Sequence, residues 1–159
     1  MADLWFLQGL ISLASAPGST LLAIPGRQKG HVQLIHLPPC PGPPLPSPPP
    51  SRPATHRSTR SFSTPSKHPV SIIVAHTTSL TTLSVPPSGR LVATTSSRGT
   101  LIRIWDTITG KLVRELRRGT DKAEIYGVAF RKDEAEVCVW SDKGTIHVFK
   151  LSESGEGAA

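Results

Sequence analysis

The chain has 159 residues, a formal net charge of +7 and two cysteines, Cys40 and Cys138. Two cysteines this far apart exclude a disulfide framework and a cysteine-based metal site, which favours a reducing compartment. The positive charge is uneven, with six Lys/Arg against one Asp before Ser71 and twelve Lys/Arg against ten Asp/Glu from there on. The part of the chain that can build a core is therefore only slightly basic, which argues against a nucleic-acid-binding protein. No apolar stretch is long enough to predict a transmembrane segment.

The first 69 residues divide into three segments by composition. Residues 1–19 have no clear pattern and are left unassigned. Residues 20–37 contain two short apolar runs separated by the turn signal Pro25-Gly26, which predicts two strands. Residues 38–69 are rich in proline, serine and basic residues. This composition predicts a linker without a core of its own.

Residues 70–151 contain short apolar or alternating runs separated by turn-forming residues, and no run is long enough to indicate a long helix. Alternation with period two at this short spacing predicts an all-β fold. Residues 152–159 are predicted to be a disordered tail. The predicted strands in this region lie at residues 70–74, 80–85, 91–95, 101–105, 112–116, 125–130, 137–140 and 145–149.

An internal repeat relates two parts of this region. The Ser-x-x-Gly-Thr turn of residues 96–100 recurs at residues 141–145, forty-five residues later. Each copy leads into an apolar strand that ends in an aromatic residue, Trp105 in one and Phe149 in the other. A repeat of about 40–45 residues with four strands is typical of a propeller blade. We therefore predict a partial WD40-type β-propeller.

The predicted blades number about two to two and a half, with a partial blade in residues 20–37 and two blades in residues 70–151. A blade buries its faces only against neighbouring blades, and a propeller loses its free edges only when the ring closes. So few blades cannot close a ring. The chain is therefore expected to be a piece of a longer protein or to assemble with other chains.

The basic motif Leu116-Arg117-Arg118-Gly119 follows the predicted strand at residues 112–116. Successive side chains of an extended backbone point to opposite sides, so the two arginines are expected to serve two pockets, one on each side of the strand. The planar guanidinium donates bidentate hydrogen bonds to phosphate. An arginine pair alone is a weak signal, because it is more often a solvated face.

Small hydroxyl residues and two histidines accompany the arginine pair, and these are donors that an inositol phosphate headgroup requires. A structural interpretation stays open for each of them. His76 is also explained as a structural histidine at the start of a blade, as in many WD repeats, and His147 as an ordinary outward strand residue. Ser96 and Thr100 are also explained as turn-forming residues.

The segments 99–107, 110–119 and 141–149 resemble the PROPPIN family, which comprises autophagy-related WD-repeat proteins. Residues 24–34 resemble a preceding blade of the same family, closest to its fungal branch. The Leu-Arg-Arg-Gly sequence is a variant of the family's Phe/Leu-Arg-Arg-Gly motif. On this resemblance the chain is identified as an apparently truncated, fungal-type member.

The resemblance implies a seven-bladed propeller that binds phosphatidylinositol 3-phosphate and 3,5-bisphosphate at two rim sites, without catalytic residues, cofactor or metal. It places the protein in the cytoplasm, peripheral on preautophagosomal, vacuolar or endosomal membranes, with autophagy proteins as partners of the full-length member. The first implied site consists of His76, Ser96, Thr100 and Arg117. The second consists of Arg118, Thr120, Ser141, Thr145 and His147.

The chain departs from the family pattern in several places. The early blades are missing, residues 1–16 do not look like family sequence, and the proline-rich linker is an unusual insertion. Two alternatives therefore stay open: a generic WD-repeat protein-interaction scaffold, and a truncated product without independent function. An enzyme is disfavoured, because no nucleophile lies near a base at a sensible spacing and no phosphate-binding glycine loop precedes a helix.

Overall fold

The structure is a computed structural model that describes residues 10–37 and 71–151. Within these ranges it consists of eleven strands in three antiparallel sheets and contains no helix. The all-β prediction is confirmed. The predicted linker at residues 38–69, the predicted tail at residues 152–159 and most of the unassigned N-terminal segment lie outside the described residues.

The first sheet has four strands in the order β1-β2-β3-β4. Its outermost strand, β4, pairs with β3 on the far side of the proline-rich segment, with Val32 opposite Ile73. The innermost strand, β1, lies in the segment that the sequence left unassigned and pairs Ser12 with Ala23. The strands are β1 (Ser12–Leu13), β2 (Leu21–Pro25), β3 (His31–His36) and β4 (Ile72–Val74).

The second sheet also has four strands and the third sheet has three, each built from consecutive hairpins. Every strand predicted in residues 70–151 is present. The second sheet comprises β5 (Leu80–Ser84), β6 (Leu91–Ser96), β7 (Leu101–Asp106) and β8 (Leu112–Arg117), and the third comprises β9 (Ile125–Phe130), β10 (Glu136–Ser141) and β11 (Ile146–Lys150).

Two hydrophobic cores join the three sheets face to face in chain order. The first core lies between the first and second sheets, where Val32 and Ile73 pack with Val92. The second core lies between the second and third sheets, where Ile102 and Ile104 pack against residues of β9 and β10, among them Val137 and Val139. The second sheet is therefore covered on both faces. This follows from its sequence, because β6 carries apolar or small side chains on both faces.

Equivalent glycines end the turn between the second and third strands of each sheet. Gly30, Gly99 and Gly144 all have positive φ, at 75°, 64° and 70°. A Cβ on Gly30 would lie 1.9 Å from the carbonyl oxygen of His76, and a Cβ on Gly99 would lie 1.8 Å from that of Ala123. Each of these two glycines thus allows the next sheet's leading loop to approach closely. Gly144 has no described atom within 4 Å of the same position.

Candidate functional site

The two arginines of the basic motif lie at the end of β8 and project to opposite sides of the second sheet. Leu116 packs against the second core, so this side of β8 faces the third sheet. Glu115 points the other way, because its carboxylate is 2.7 Å from Nε of Arg103, whose Nη1 donates to the carbonyl of Ala75 beside the first sheet. By strand alternation Arg117 shares the side of Glu115, and Arg118 shares the side of Leu116.

The two guanidinium groups have different surroundings. Nε of Arg118 donates to the carbonyl oxygen of Gly99 at 2.6 Å, and its Nη2 donates to the carbonyl oxygen of Asp121. Its backbone N–H donates to the carbonyl of Thr100 at 2.9 Å. Arg118 is half-buried, whereas Arg117 is exposed and its guanidinium makes no hydrogen bond or ion pair with any described residue. Arg117 is therefore free to bind an anion, and Arg118 is already oriented by the backbone.

On the side of the first sheet, Arg117 is accompanied by Ser96 and His76. Ser96 lies two residues after Thr94 on β6, on the same face, and is 6 % exposed. His76 follows β4 and is also 6 % exposed. Thr100, the fourth predicted residue of this site, is half-buried at the turn before β7. The fold thus gathers His76, Ser96 and Arg117 on one side of the second sheet.

The imidazole of His76 belongs to a buried hydrogen-bond network. Its Nε2 lies 2.9 Å from Oγ1 of Thr94, which also accepts from Nε1 of Trp105 at 3.1 Å and donates to the carbonyl of Arg103 at 3.3 Å. Since the hydroxyl proton of Thr94 is used on that carbonyl, Nε2 of His76 is the donor of the pair.

Burial, followed by the positive charge of Arg103, lowers the pKa of His76 from 6.5 to about 4. The ring is therefore neutral at physiological pH. These contacts favour the structural interpretation of His76 that the sequence left open. They leave the ring without a positive charge for an anionic ligand.

On the side of the third sheet, Arg118 faces Ser141 and His147. Ser141 lies two residues after the buried Val139 on β10 and is 5 % exposed. His147 alternates with the exposed Ile146 and stacks on Phe149, with ring centroids 6.2 Å apart, and Phe149 packs against the second core. Both side chains therefore point towards the second sheet. Nε2 of His147 lies 3.2 Å from Oγ1 of Thr145, which is exposed like Thr120, the fifth predicted residue of this site.

Two basic residues near the arginine pair were missed by the sequence reasoning. Arg98 occupies the turn before β7, and its carbonyl accepts from the N–H of Ala123 at 3.3 Å. Lys122 precedes Ala123 in the loop that carries Arg118. The backbone contact therefore brings the turn of Arg98 to the same loop. The Ser-Ser-Arg-Gly turn displays Arg98 in the sequence, but only the contact between sheets places it beside the arginine pair.

A cavity of about 380 Å³ opens between the second and third sheets, at the end of these sheets that lies away from the arginine pair. Its carboxylates include Asp106, which accepts from the N–H groups of Ile108 and Thr109, and Asp133, which pairs with Arg131. These acids therefore serve the local turns. Within residues 10–37 and 71–151, no group of three or more His, Cys, Asp or Glu side chains could hold a metal ion. The same ranges contain no helix that is long and apolar enough to cross a membrane.

Three stacked sheets with a two-sided arginine motif define a partial β-propeller, and the comparisons with known proteins agree. A structure of Kluyveromyces lactis Hsv2 superposes with a TM-score of 0.64 at 27 % identity and covers 90 % of this chain and 37 % of that one. A complex of KlAtg21 with the coiled coil of AgAtg16 is 21 % identical at a TM-score of 0.60, which supports the fold alone. The predicted fold class is confirmed.

The family model described as PROPPIN matches residues 55–157, and the chain belongs to this family. The chain is 34 % identical to SVP1-like protein 2 of Pichia angusta over 144 residues. This alignment covers 91 % of this chain and 34 % of the relative. It is 40 % identical over 92 residues to autophagy-related protein 18 of Meyerozyma guilliermondii, covering 58 % of this chain and 16 % of the relative. The chain thus spans about a third or less of these relatives.

Proposed function

We propose that this chain binds 3-phosphorylated inositol lipids, phosphatidylinositol 3-phosphate and 3,5-bisphosphate, through one arginine on each side of the second sheet. The protein acts without catalysis, as a module that recruits autophagy components to membranes. The observation that supports this proposal is the opposed orientation of Arg117 and Arg118, one towards the side of the buried Ser96 and the other towards the side of the buried Ser141.

The first proposed site uses the free guanidinium of Arg117 with the hydroxyls of Ser96 and Thr100. The uncharged imidazole of His76 lies beside this site and is held in place by its hydrogen bond to Thr94. Because Arg117 has no described partner, a phosphate would gain its hydrogen bonds without breaking others.

The second proposed site uses Arg118 with Ser141, Thr145 and His147, and with Thr120 in the adjoining loop. Here the guanidinium is oriented before ligand binding by the carbonyls of Gly99 and Asp121. Arg98 and Lys122 add positive charge at the same loop cluster. Basic groups beside an anionic membrane contribute about 1 kcal/mol each.

The setting of this function is proposed from the relatives. One of them is named autophagy-related protein 18. We propose the same kind of setting here: a cytoplasmic protein, peripheral on preautophagosomal, vacuolar or endosomal membranes, with autophagy proteins as partners of the full-length form.

Flotation with liposomes tests the lipid proposal. Vesicles carry phosphatidylinositol 3-phosphate, phosphatidylinositol 3,5-bisphosphate or unphosphorylated phosphatidylinositol, and the proteins are the wild-type chain, Arg117→Ala, Arg118→Ala and the double variant. A charge-assisted hydrogen bond contributes about 1.5–3 kcal/mol, so each single variant is expected to lose roughly 10- to 100-fold in affinity. The double variant is expected to bind no better to phosphorylated than to unphosphorylated vesicles.

A matched control removes one positive charge elsewhere. Arg90→Ala does so at the opposite end of β6, beside Asp106, and is expected to retain selective binding. Circular dichroism verifies the β-structure of every variant. If the folded wild-type chain binds the three vesicle types equally, or if the double variant binds like the wild type, the lipid proposal is wrong and the arginine pair is a solvated face.

A further inference from the structure

We propose that the cavity between the second and third sheets binds a short peptide segment of a partner protein, with an aliphatic side chain in the cavity and a neighbouring Lys or Arg side chain on Glu134. The cavity lies at the end of these sheets away from the arginine pair. The proposal therefore does not depend on the proposed lipid sites.

The walls of the cavity are mostly apolar. Ile104 of β7 is fully buried and connects the cavity to the second core, and the half-buried Leu91 and Leu151 pack against the same core. Ala135 adds a small side chain from the segment before β10. At about 380 Å³ the cavity lies at the lower end of the roughly 300–1,000 Å³ that is usual for ligand-binding pockets. This volume suits one or two side chains of a peptide better than a large cofactor.

An irregularity in β8 adds Val113 to the same cavity. The ladder between β7 and β8 shifts register between Ile104 and Trp105, and Val113 is left without a partner on β7. Strand alternation alone would direct Val113 to the opposite side of the sheet from Arg114, its neighbour on β8 that pairs with Ile104. A bulge changes the direction of a side chain in this way. Val113 is 48 % exposed and lines the cavity, so it supplies an accessible apolar contact.

The charged groups that line the cavity are three carboxylates and one guanidinium, that of Arg90. Two of the carboxylates have partners within the chain, since Asp106 accepts from the N–H groups of its own turn and Asp133 pairs with Arg131 at 3.1 Å. Glu134 is half-buried, and its carboxylate makes no hydrogen bond or ion pair with any residue in 10–37 or 71–151. Glu134 therefore brings a negative charge that is available to a cationic ligand.

The backbone of Glu134 indicates that its side chain is not there for the turn. Its φ is 61°, and among residues 10–37 and 71–151 it is the one residue other than glycine with a positive φ. Glycine adopts this conformation readily, whereas a glutamate in the same conformation costs stability. The turn is closed by the backbone N–H of Glu134, which donates to the carbonyl of Arg131 at 2.9 Å. The turn therefore does not require the carboxylate, and an ion pair with a ligand accounts for it.

A partner peptide fits the cavity better than the end of the chain itself. Residues 152–159 follow Leu151 in the sequence and contain two Glu and no Lys or Arg. Their charge has the same sign as that of Glu134, which disfavours them as the occupant. A peptide with one aliphatic and one basic side chain buries apolar surface and neutralises the carboxylate, and both contributions favour binding.

Titrations of the 159-residue chain followed by two-dimensional amide NMR test the proposal. The probes are three capped dipeptides, the N-acetyl amides of leucyl-arginine, leucyl-glutamate and glycyl-arginine. The leucyl-arginine probe is expected to shift the amide signals of Leu91, Ala135 and Leu151 in a saturable manner. Each of the other two probes lacks one of the two contributions and is expected to bind about 10-fold more weakly.

Two substitutions at Glu134 separate binding from folding. Glu134→Gln and Glu134→Gly both remove the negative charge and are each expected to weaken binding of the leucyl-arginine probe about 5- to 10-fold. Glu134→Gly also relieves the unfavourable φ, so it is expected to unfold at the same or a higher urea concentration than the wild type. Glu124→Gln removes an exposed carboxylate before β9, at the opposite end of the sheets, and is expected to retain wild-type binding.

Three outcomes overturn the proposal. The first is a folded wild-type chain whose amide signals around the cavity do not shift with the leucyl-arginine probe. The second is equal binding of the leucyl-arginine and leucyl-glutamate probes, or binding that Glu134→Gly leaves unchanged. The third is a shift of the signals of residues 38–69 on Glu134→Gly substitution, which would make the basic linker of the chain itself the occupant in place of a partner.

Discussion

The second and third sheets carry the same Ser-x-x-Gly-Thr turn, but the described residues cover both faces of the second sheet and only one face of the third. The turn itself is alike in the two sheets, because Ser96 and Ser141 are both buried and Gly99 and Gly144 share a positive φ. What surrounds the turn differs, since Gly99 is packed against the third sheet and Gly144 has no described neighbour. Local sequence therefore sets the turn, and the neighbouring sheet sets the energetic cost of changing it.

The two arginines also differ in whether a neighbouring sheet packs around them. Arg118 lies in the crevice between the second and third sheets and is held by two carbonyls, one of them from the turn of Gly99. Arg117 lies on the other side and is exposed. One member of the motif thus contacts the junction between two sheets, and the other leaves its charge exposed to solvent.

The largest expected effect is the loss of stability when Gly99 is replaced, compared with the loss when Gly144 is replaced. Gly99→Ala combines an unfavourable positive φ with a Cβ that overlaps the carbonyl oxygen of Ala123, and it is expected to destabilise the chain by roughly 3 kcal/mol or more. Gly144→Ala places a Cβ at an unfavourable positive φ but in open space, and it is expected to lower the free energy of unfolding by about 1 kcal/mol. Urea unfolding followed by circular dichroism measures both. Equal losses would contradict the difference in packing between the two turns.

A second expected effect is the dependence of stability on pH through His76. Because its pKa is about 4 in the folded chain and about 6.5 when unfolded, the unfolded state binds more protons between these values. The stability is therefore full above pH 6.5 and falls as the pH is lowered towards 4, by up to roughly 3 kcal/mol.

Urea unfolding at pH 7 and at pH 4 measures this effect. His76→Gln removes the titrating ring and retains a donor for Thr94, so its loss between the two pH values is expected to be smaller than that of the wild type. All other titratable groups are present in both proteins, so the difference between the two pH profiles isolates His76. Identical pH profiles would show that His76 is not the buried neutral base described above.

The smallest expected effect separates the structural roles of the two arginines. Arg118→Ala leaves the carbonyls of Gly99 and Asp121 without their guanidinium donors, and it is expected to lower the free energy of unfolding by about 1–2 kcal/mol. Arg117→Ala removes an exposed side chain without a described partner and is expected to change it by less than about 0.5 kcal/mol. Urea unfolding at neutral pH resolves this difference, and a larger loss for Arg117→Ala would reverse the assignment.

Strand positions in residues 70–151 could be predicted because alternation and turn residues are local properties of the sequence. The membership of β1 and β4 in one sheet could not. β1 has only two residues, and β4 is separated from its neighbour β3 by the proline-rich segment. The pairing of Val32 with Ile73 depends on packing against the second sheet, which no local pattern encodes.

The opposed sides of Arg117 and Arg118 could also be predicted, since they follow from strand alternation. The network of His76 could not be derived in detail, because Thr94 and Trp105 reach it from two other strands. The carbonyl contacts of Arg118 likewise depend on how the loops of two sheets meet. The role of the predicted residues in lipid binding stays a prediction.

The position of the long insertion has a consequence for the order in which the sheet opens. Thirty-five residues separate the end of β3 at His36 from the start of β4 at Ile72, whereas five residues join β7 to β8. Closure entropy grows with the logarithm of loop length, so the longer connection costs about 2 kcal/mol more to close. β4 is held by only three register pairs. Detachment of the outer strand of the first sheet therefore breaks only three register pairs and relaxes the longest connection between described strands.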